Sequence, residues 1–194
     1  MPGVLLLFSG GADSVLLLKW LVRRKDPCGL LMINYGQRHV EELDFADRFL
    51  ADLPMGERDS ISRFVVNLSE AFTLVRAPLL CGGGPTYKGV NPNYVPSRNL
   101  VFVSVALSIA ESYGYEEVWY GADFSDREDG FPDCFQEWVV LVDRIARING
   151  SRPIPVRAPL LGFTKRMVEE NLRVGGVDPA MVYSGYGPPQ KEVR

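Results

Sequence analysis

Short apolar runs alternate with longer amphipathic segments along most of this 194-residue chain. The apolar runs predict strands at residues 4–8, 29–34, 64–66 and 117–120 and a short extended piece at 154–157. The segments between them repeat with a helical period and predict helices at residues 13–24, 38–53, 100–112, 132–148 and 165–174. Because strands and helices alternate, we expect an α/β fold, a Rossmann-like parallel sheet with helices on both faces.

The same pattern predicts which helical residues are buried and where helices begin. We expect residues 100–112 to form a buried helix. Four further apolar residues recur at helical spacing and are expected in the core: Val140, Leu141, Ile145 and Ile148. Thr164 is the expected N-cap of the last helix. Residues 81–96 are rich in Gly, Pro and Asn and predict a loop over the functional site.

The segment between the first strand and the first helix, SGGADS at residues 9–14, suits phosphate binding. Gly10 and Gly11 let the backbone approach a ligand closely, and the helix N-terminus offers N–H groups and a positive dipole end. Ser9 and Ser14 add hydroxyl groups. The segment lacks the lysine and the spacing of a Walker loop. The alternative is a glycine-rich turn into a helix that Asp13 or Ser14 caps.

Three polar segments follow predicted strands, at residues 9–14, 35–39 and 121–126. In parallel sheets ligands bind beyond the carboxyl ends of the strands, where these segments are expected to meet. The sequence therefore predicts one site at this edge of the sheet.

The amino-acid composition indicates which classes of partner the protein has. A hydrophobic fraction of 46% is enough for a sizeable core in one domain. The net charge of −3 disfavours long nucleic acids as partners and favours small-molecule substrates. Cys28, Cys81 and Cys134 lie far apart without a CxxC pair, which indicates a reducing cytosol rather than a disulfide framework or zinc knuckle. The apolar N-terminal stretch is interrupted by the glycine loop and Lys19, so we expect no signal peptide, no membrane span and a cytoplasmic protein.

The loop at residues 9–14 matches the SGGxDS loop of the PP-loop ATP pyrophosphatases, which have an adenine nucleotide alpha hydrolase-like fold. Further segments narrow the resemblance, in this order: YGQRH at 35–39, PSRN at 96–99, GADFSD at 121–126, FPDC at 131–134 and PLL at 159–161 before Thr164 and Lys165. Together they resemble the QueC family of 7-cyano-7-deazaguanine (preQ0) synthases. The resemblance spans residues 4–186.

The resemblance implies an ATP-dependent carbon–nitrogen ligase that converts 7-carboxy-7-deazaguanine and ammonia to the nitrile preQ0. It implies ATP and Mg²⁺ as cofactors, an acyl-adenylate and an amide as intermediates, and a homodimer. A variant that stops at the amide or uses another amine stays open, as does a non-catalytic nucleotide-binding relative. A tRNA thiolase or NAD synthetase is disfavoured, since thiolases usually show catalytic cysteines and a basic surface.

Site residues follow from matching this sequence to the family pattern. The expected ATP contacts are Phe8, Ser9, Gly10, Gly11, Asp13, Ser14 and Lys165. The expected substrate contacts are Tyr35, Gln37, Arg38, His39, Arg98, Asn99, Asp123, Asp126, Asp133 and Tyr186. The expected catalytic residues are Lys165, Arg98 and His39.

Several of these roles have structural alternatives. Asp13 either binds Mg²⁺ or caps its helix. Lys165 binds phosphates or is an ordinary exposed lysine, and Arg98 neutralises a phosphate or substrate carboxylate or pairs with an acid at its helix start. Asp133 either accepts hydrogen bonds from a guanine-like face or caps a helix.

Three more expectations have alternatives of the same kind. His39, the only histidine, contacts substrate, handles a proton or is structural. Asp123 and Asp126 hold metal or substrate, or form turns. Cys134 is expected to pack without reacting.

The sequence departs from the family at its C-terminal end. Family members carry four zinc-ligating cysteines there, whereas this chain has Gly185 at the first such position and no later cysteine before Arg194. We therefore expect a compact relative without a zinc site, of the phage-encoded kind that supplies modified bases for DNA in the host cytoplasm. We expect a single domain over residues 1–194, with residues 150–194 as a C-terminal helical appendage that closes the site.

Overall fold

The architecture is a five-stranded parallel sheet with helices on both faces. A computed structural model describes residues 3–37, 41–58, 61–80, 83–179 and 182, with only the backbone described for residues 41–45. In chain order the elements are β1 (Val4–Leu7), α1 (Ala12–Arg24), β2 (Cys28–Asn34), α2 (Glu41–Ala51), α3 (Met55–Arg58), β3 (Ile61–Asn67), α4 (Arg98–Tyr113), β4 (Glu117–Trp119), α5 (Phe124–Glu128), α6 (Gln136–Asn149), β5 (Val156–Arg157) and α7 (Lys165–Val174).

The strand order is β3-β2-β1-β4-β5, so β1 lies at the centre. Val4 pairs with Cys28 of β2 on one side and with Glu117 of β4 on the other. The chain leaves β1 towards one edge of the sheet and later returns to the other side of β1. The carboxyl ends of β1 and β4 therefore flank the point where the strand order reverses, which is the usual ligand position in such sheets.

Two layers of apolar side chains hold the helices against the sheet. Alternate strand residues point to opposite faces, so Leu6 and Leu30 pack with α1, α2 and α7, whereas Leu5 and Leu31 pack with α4 and α6. β1 and β2 are buried almost throughout, which explains their nearly continuous apolar sequence. The predicted Rossmann-like α/β fold is confirmed.

Most predicted elements are present, with shifted ends. The predicted strand at 64–66 extends over Ile61–Asn67, because it pairs with β2 along its whole length. The predicted helix at 132–148 is divided into a 3₁₀ turn, Pro132–Cys134, and α6, because Phe135 is extended between them. Thr164 caps α7 as predicted, and its hydroxyl accepts a hydrogen bond from the Met167 N–H at 3.3 Å.

The predicted burial of two helices was wrong. Helix α4 buries only a stripe, Val103, Ala106 and Ala110, and leaves Leu100 and Val101 exposed. On α6 the four residues expected in the core are instead exposed: Val140 (55%), Leu141 (59%), Ile145 (54%) and Ile148 (80%). Val142 and Ala146 face the sheet in their place, one helical turn apart. The helix has apolar residues on two faces, so helical spacing alone could not identify the inner one.

The C-terminal part of the chain is joined to the sheet and to the first helix. β5 pairs with β4 through Val118 and Val156, and α7 packs on α1 with Val168 and Leu172 buried. None of the described helices has the length and apolar content that crossing a membrane requires.

We predict that packing between α7 and α1 stabilises the fold. Leu172→Ala should lower the free energy of unfolding by about 2–5 kcal/mol, because this fully buried side chain leaves a cavity. Urea denaturation measures the change. Val174→Ala, at an 81% exposed position of the same helix, is the matched control. It should change the free energy of unfolding by no more than about 0.5 kcal/mol. If both variants lose the same free energy of unfolding, the stabilising role of the contact between α7 and α1 is contradicted.

Candidate active site

The loop between β1 and α1 has the geometry of an anion-binding turn. Gly10 has φ 80°, which favours glycine, and Gly11 occupies the N-cap position of α1. The Ser14 hydroxyl donates to the Gly11 carbonyl oxygen at 2.9 Å, and the Gly11 N–H donates to Ser9 Oγ at 3.3 Å. Because glycine holds the N-cap, neither Asp13 nor Ser14 caps α1, and the capping alternative for these two residues was wrong.

A cavity of about 380 Å³ opens at the carboxyl edge of the sheet beside this loop. It brings together most of the predicted site residues: Phe8, Ser9, Gly11, Asp13, Ser14, Tyr35, Gln37, Arg98, Asn99, Asp123, Asp126, Asp133 and Lys165. Gly10 lies within the loop but does not line the cavity. The predicted contacts Arg38, His39 and Tyr186 lie outside the described residues.

Seven pieces of the fold supply these side chains, and α5 is the one that carries Asp126. The ends of β1, β2 and β4 supply the loop, Tyr35 and Asp123, respectively. The first turn of α4 supplies Arg98, the 3₁₀ turn supplies Asp133 and the first residue of α7 is Lys165. Gly121 allows β4 to approach α1, since a Cβ there would lie 2.8 Å from the Asp13 Cβ.

Three carboxylates form a compact acidic cluster beside the loop. One oxygen from each of Asp13, Asp123 and Asp126 lies within 4.8 Å of the others. Asp123 is fully buried, and its Oδ1 accepts the Asp126 N–H at 2.8 Å at the start of α5. Within the described part of the chain, this is the one group of three or more such side chains close enough to share a metal ion. Oxygen ligands of this kind suit Mg²⁺.

The mutual repulsion and burial of these acids alter their protonation. Burial, followed by the charges of Asp123 and Asp126, raises the pKa of Asp13 to about 7. Burial and the Asp123 charge raise the pKa of Asp126 to about 6, and burial also raises the pKa of Asp123. The cluster without a cation therefore holds protons at pH values where ordinary aspartates do not.

Lys165 is a basic group that pairs with this cluster. Its Nζ lies 3.7 Å from Asp126 Oδ1 and 3.2 Å from Asp129 Oδ2, and the Lys165 N–H donates to Ser125 Oγ at 3.0 Å. Burial lowers the pKa of Lys165, but the hydrogen bond to Asp129 and the charge of Asp126 outweigh it, so this pKa is raised. Lys165 is therefore an exposed lysine whose ammonium group pairs with acids of the site.

A second polar group, built around Tyr35 and Arg98, lines the same cavity. An Arg98 N–H donates to the Tyr35 hydroxyl at 3.1 Å, and the guanidinium carbon is 5.5 Å from the centre of the Tyr35 ring. Phe72 and Phe102 contact the same ring edge to face. Buried Gln37 accepts the Tyr35 N–H at 3.0 Å. Tyr35 therefore holds Arg98 at the cavity wall and is itself held by its neighbours.

Asp133 is the buried acid near Arg98. Burial raises the pKa of Asp133, while the Arg98 charge and a hydrogen bond to the Asn99 side chain oppose the shift. The N-cap of the 3₁₀ turn is Phe131 and that of α6 is Phe135, so the capping alternative for Asp133 was wrong. Burial and the charge of Asp133 raise the pKa of the buried Cys134 thiol, as expected for a cysteine that packs without reacting.

Sequence reasoning missed some residues of this site. Asp129 pairs with Lys165, and Glu169 lines the cavity. Glu169 follows Lys165 by four residues on one helix face, a spacing that could have identified it. Asp129 lies outside every matched segment, and only the packing of α5 near α7 brings it to Lys165.

We predict an unusual pH dependence in metal-free solution. A carboxyl whose folded-state pKa is raised stabilises the fold below its unfolded value, and this stability is lost as pH rises through the folded value. For Asp13 the window runs from 3.8 to about 7. The free energy of unfolding of Asp13→Asn, relative to the unmodified chain, should therefore increase across this window. Urea titrations at several pH values measure it, and Asp52→Asn, the same substitution at an exposed position, is the matched control. If the difference in the free energy of unfolding between Asp13→Asn and the unmodified chain does not change with pH, the raised pKa of Asp13 is contradicted.

Comparison with known proteins identifies the family. The family described as "Queuosine biosynthesis protein QueC" matches residues 3–193. Relatives named 7-cyano-7-deazaguanine synthase include one from Magnetococcus marinus, 31% identical over 97% of this chain and 85% of its own length. Another from Pseudomonas syringae pv. tomato is 32% identical over 93% of this chain and 81% of its own length.

Solved structures support the fold alone. A U34-tRNA thiolase, NcsA from Methanococcus maripaludis, superimposes with a TM-score of 0.59 at 12% identity over 96% of this chain. This chain spans only 60% of that structure. A predicted subunit of a tRNA methyltransferase from Methanocaldococcus jannaschii gives a TM-score of 0.51 at 18% identity, over 95% of this chain and 93% of that one. The family match over residues 3–193 and the relatives at about 30% identity show that the chain belongs to the QueC family.

Proposed function

We propose that this chain converts 7-carboxy-7-deazaguanine and ammonia to 7-cyano-7-deazaguanine, with ATP as the activating reagent. The observation that carries the proposal is a cavity lined both by the anion-binding loop and by Arg98 and Asp133. A cavity of this kind can bind a nucleoside triphosphate beside a planar purine analogue that carries a carboxylate. The relatives that bear the synthase name support the reaction.

The loop is the proposed phosphate site. N–H groups at the start of α1 and the hydroxyls of Ser9 and Ser14 would hold the β- and γ-phosphates. Phe8, buried at the end of β1, and Gly10 and Gly11 would fix the backbone path of the loop. Lys165 would add a positive charge at the phosphates, because its side chain lines the same cavity.

The part of the cavity lined by Arg98, Asn99 and Asp133 is the proposed deazapurine site. The Asp133 carboxylate would accept hydrogen bonds from the ring N–H and the exocyclic amine of the guanine-like face. Asn99 would orient Asp133, and Arg98 would pair with the substrate carboxylate through its planar guanidinium. Three further proposed substrate contacts are Arg38, His39 and Tyr186. His39 is also the proposed residue for proton transfer.

The chemistry needs positioning and charge stabilisation more than a protein nucleophile. A substrate carboxylate oxygen attacks the α-phosphorus of ATP, and pyrophosphate leaves. Ammonia adds to the acyl carbon and loses a proton, and AMP departs with the electrons of the C–O bond to give an amide. The amide oxygen attacks the α-phosphorus of a second ATP, and a second pyrophosphate leaves. Loss of two N–H protons with departure of the second AMP then forms the nitrile.

Mg²⁺ is the proposed cofactor, with Asp13 among its ligands. When bound, it would neutralise the phosphates and so favour attack on the α-phosphorus. The acidic cluster fits this role because its donors are carboxylate oxygens and one of them, Asp123 Oδ2, is buried without a hydrogen-bond partner within the described structure.

We also propose one domain over residues 1–194, in which residues 150–194 close the site. Within the described part of this segment, β5 completes the sheet and Lys165, Val168, Glu169 and Pro179 line the cavity. These contacts support a segment that belongs to the site rather than a separate unit.

A homodimer is part of the proposal. The exposed apolar face of α6, formed by Val140, Leu141, Ile145 and Ile148, is the surface that supports it. Exposed Glu137 and Arg144 lie at equal sequence distances from the Val140–Leu141 pair. Two copies of α6 packed antiparallel about a twofold axis would therefore place opposite charges together.

The reaction is tested by mass spectrometry of purified protein with 7-carboxy-7-deazaguanine, ATP, Mg²⁺ and ammonium. We expect the nitrile as the final product. The amide alone, or no product, would contradict the proposed function.

Asp133→Asn should impair use of the deazapurine and leave ATP binding intact, because an amide cannot accept two hydrogen bonds from the guanine-like face as a carboxylate does. We expect about a hundredfold or greater loss in kcat/KM for the deazapurine, as for other sites whose buried polar partners are left unpaired. Steady-state kinetics measure it. Glu128→Gln makes the same chemical change at an exposed position outside the cavity and should behave as the unmodified chain. A loss of ATP binding in Asp133→Asn would contradict its assignment.

Leu141→Glu should convert the proposed dimer to a monomer, because it would place like charges at the centre of the interface. Light scattering after size-exclusion chromatography measures the mass. Leu74→Glu, at a 91% exposed residue away from α6, should remain dimeric. A monomeric unmodified chain would contradict the dimer.

A further inference from the structure

The reacting group of the substrate changes its charge during the proposed reaction. It is an anionic carboxylate before the first activation and a neutral amide before the second. Within the described lining of the cavity, Arg98 and Lys165 are the basic side chains. The Lys165 ammonium group pairs with Asp126 and Asp129 at 3.7 and 3.2 Å. Arg98 is therefore the cation of that lining best suited to the carboxylate, and it has a reason to distinguish the two activations.

The Arg98 guanidinium needs a second group to fix its orientation. Its side chain is long and flexible, and holding a planar guanidinium towards a carboxylate costs conformational entropy unless the group is already oriented. Tyr35 supplies this restraint. Its hydroxyl accepts an Arg98 N–H at 3.1 Å, and the guanidinium carbon lies 5.5 Å from the centre of its ring. Two contacts with different parts of one tyrosine restrict the guanidinium more than a single hydrogen bond would.

Tyr35 is itself held at its ring and at its backbone. It is 7% exposed, and its ring meets Phe72 and Phe102 edge to face at centroid distances of 5.8 and 5.2 Å. The Tyr35 N–H donates to Gln37 Oε1 at 3.0 Å. Gln37 is 2% exposed and pairs with Leu80 through an isolated antiparallel bridge. A tyrosine anchored in this way can fix a flexible partner.

We propose that Tyr35 is a positioning residue that directs the Arg98 guanidinium at the substrate carboxylate and so serves the first activation selectively. The identity of the substrate rests on the proposed function. The proposal replaces the direct substrate contact that the sequence predicts for Tyr35. An anion gains two parallel, charge-assisted hydrogen bonds from an oriented guanidinium. The amide gains less, because it is neutral and its NH₂ group would face N–H donors.

The experiment compares the binding of 7-carboxy-7-deazaguanine and 7-amido-7-deazaguanine to the full chain, measured by calorimetry without ATP. Tyr35→Phe keeps the ring and its packing and removes the hydroxyl. It should weaken carboxylate binding by about tenfold, the scale of one hydrogen bond to a charged group, and change amide binding by less than about twofold. Tyr113→Phe makes the same chemical change at a 68% exposed position of α4 and should alter neither affinity.

Two further measurements separate positioning from a structural role. In single-turnover reactions, Tyr35→Phe should slow conversion of the carboxylate to the amide by about tenfold and leave conversion of the amide to the nitrile unchanged. Arg98→Lys retains the positive charge near Asp133 but lacks the planar fork, so it should show the same selectivity. Adding Tyr35→Phe to Arg98→Lys should weaken carboxylate binding much less than Tyr35→Phe does in the unmodified chain, because the hydroxyl acts through Arg98.

Three results would overturn the proposal. These are an equal weakening of both compounds in Tyr35→Phe, carboxylate binding that Tyr35→Phe leaves intact, or an undiminished loss when Tyr35→Phe is added to Arg98→Lys. A chain that binds the two compounds as described but forms no nitrile would refute the proposed reaction and leave the role of Tyr35 standing. A chain that binds neither compound would contradict the substrate assignment and the proposal with it.

Discussion

The central position of β1 is the constraint on which the rest of the structure depends. Hydrogen bonds to β2 on one side and β4 on the other place this strand at the centre of the sheet. The chain therefore leaves β1 in the middle of the carboxyl edge. The turn of residues 9–14 is therefore fixed where the strand order reverses. Gly121 lets β4 deliver Asp123 against Asp13, and packing of α7 on α1 brings Lys165 to the same place. The fold thus gathers distant segments around one cavity.

The second feature that shapes the site is the group of partly buried carboxylates beside the loop. Burial keeps the carboxylates of the cluster from ionising as they would in water, and Lys165 offsets only part of their repulsion. A site of this kind gains stability from a divalent cation and from the phosphates that accompany it. In the same cavity, the Tyr35 hydroxyl holds Arg98 in place, and the Arg98 charge acts on Asp133, so the proposed partner of the substrate carboxylate is held in position.

The sequence predicted the architecture well because its strongest signals are local. Apolar runs and the capping residue Thr164 placed the strands and the last helix, and the segments that resemble the QueC family named most residues lining the cavity. The predictions that were wrong or missing concern tertiary packing, which no local sequence pattern encodes. The buried face of α6 depends on which side meets the sheet, so Val140 and Leu141 were assigned to the core although they are exposed. The pairing of Asp129 with Lys165 depends on tertiary packing.

The central claim is that the site activates a carboxylate by attaching it to the α-phosphorus of ATP. It is tested most directly with 7-carboxy-7-deazaguanine that carries a heavy oxygen isotope at both carboxylate positions. The account predicts that each AMP released on the way to the nitrile contains one heavy oxygen atom, since each carboxylate oxygen leaves on phosphorus. Unlabelled AMP, or label recovered in inorganic phosphate, would contradict adenylation and with it the assignment of the cavity.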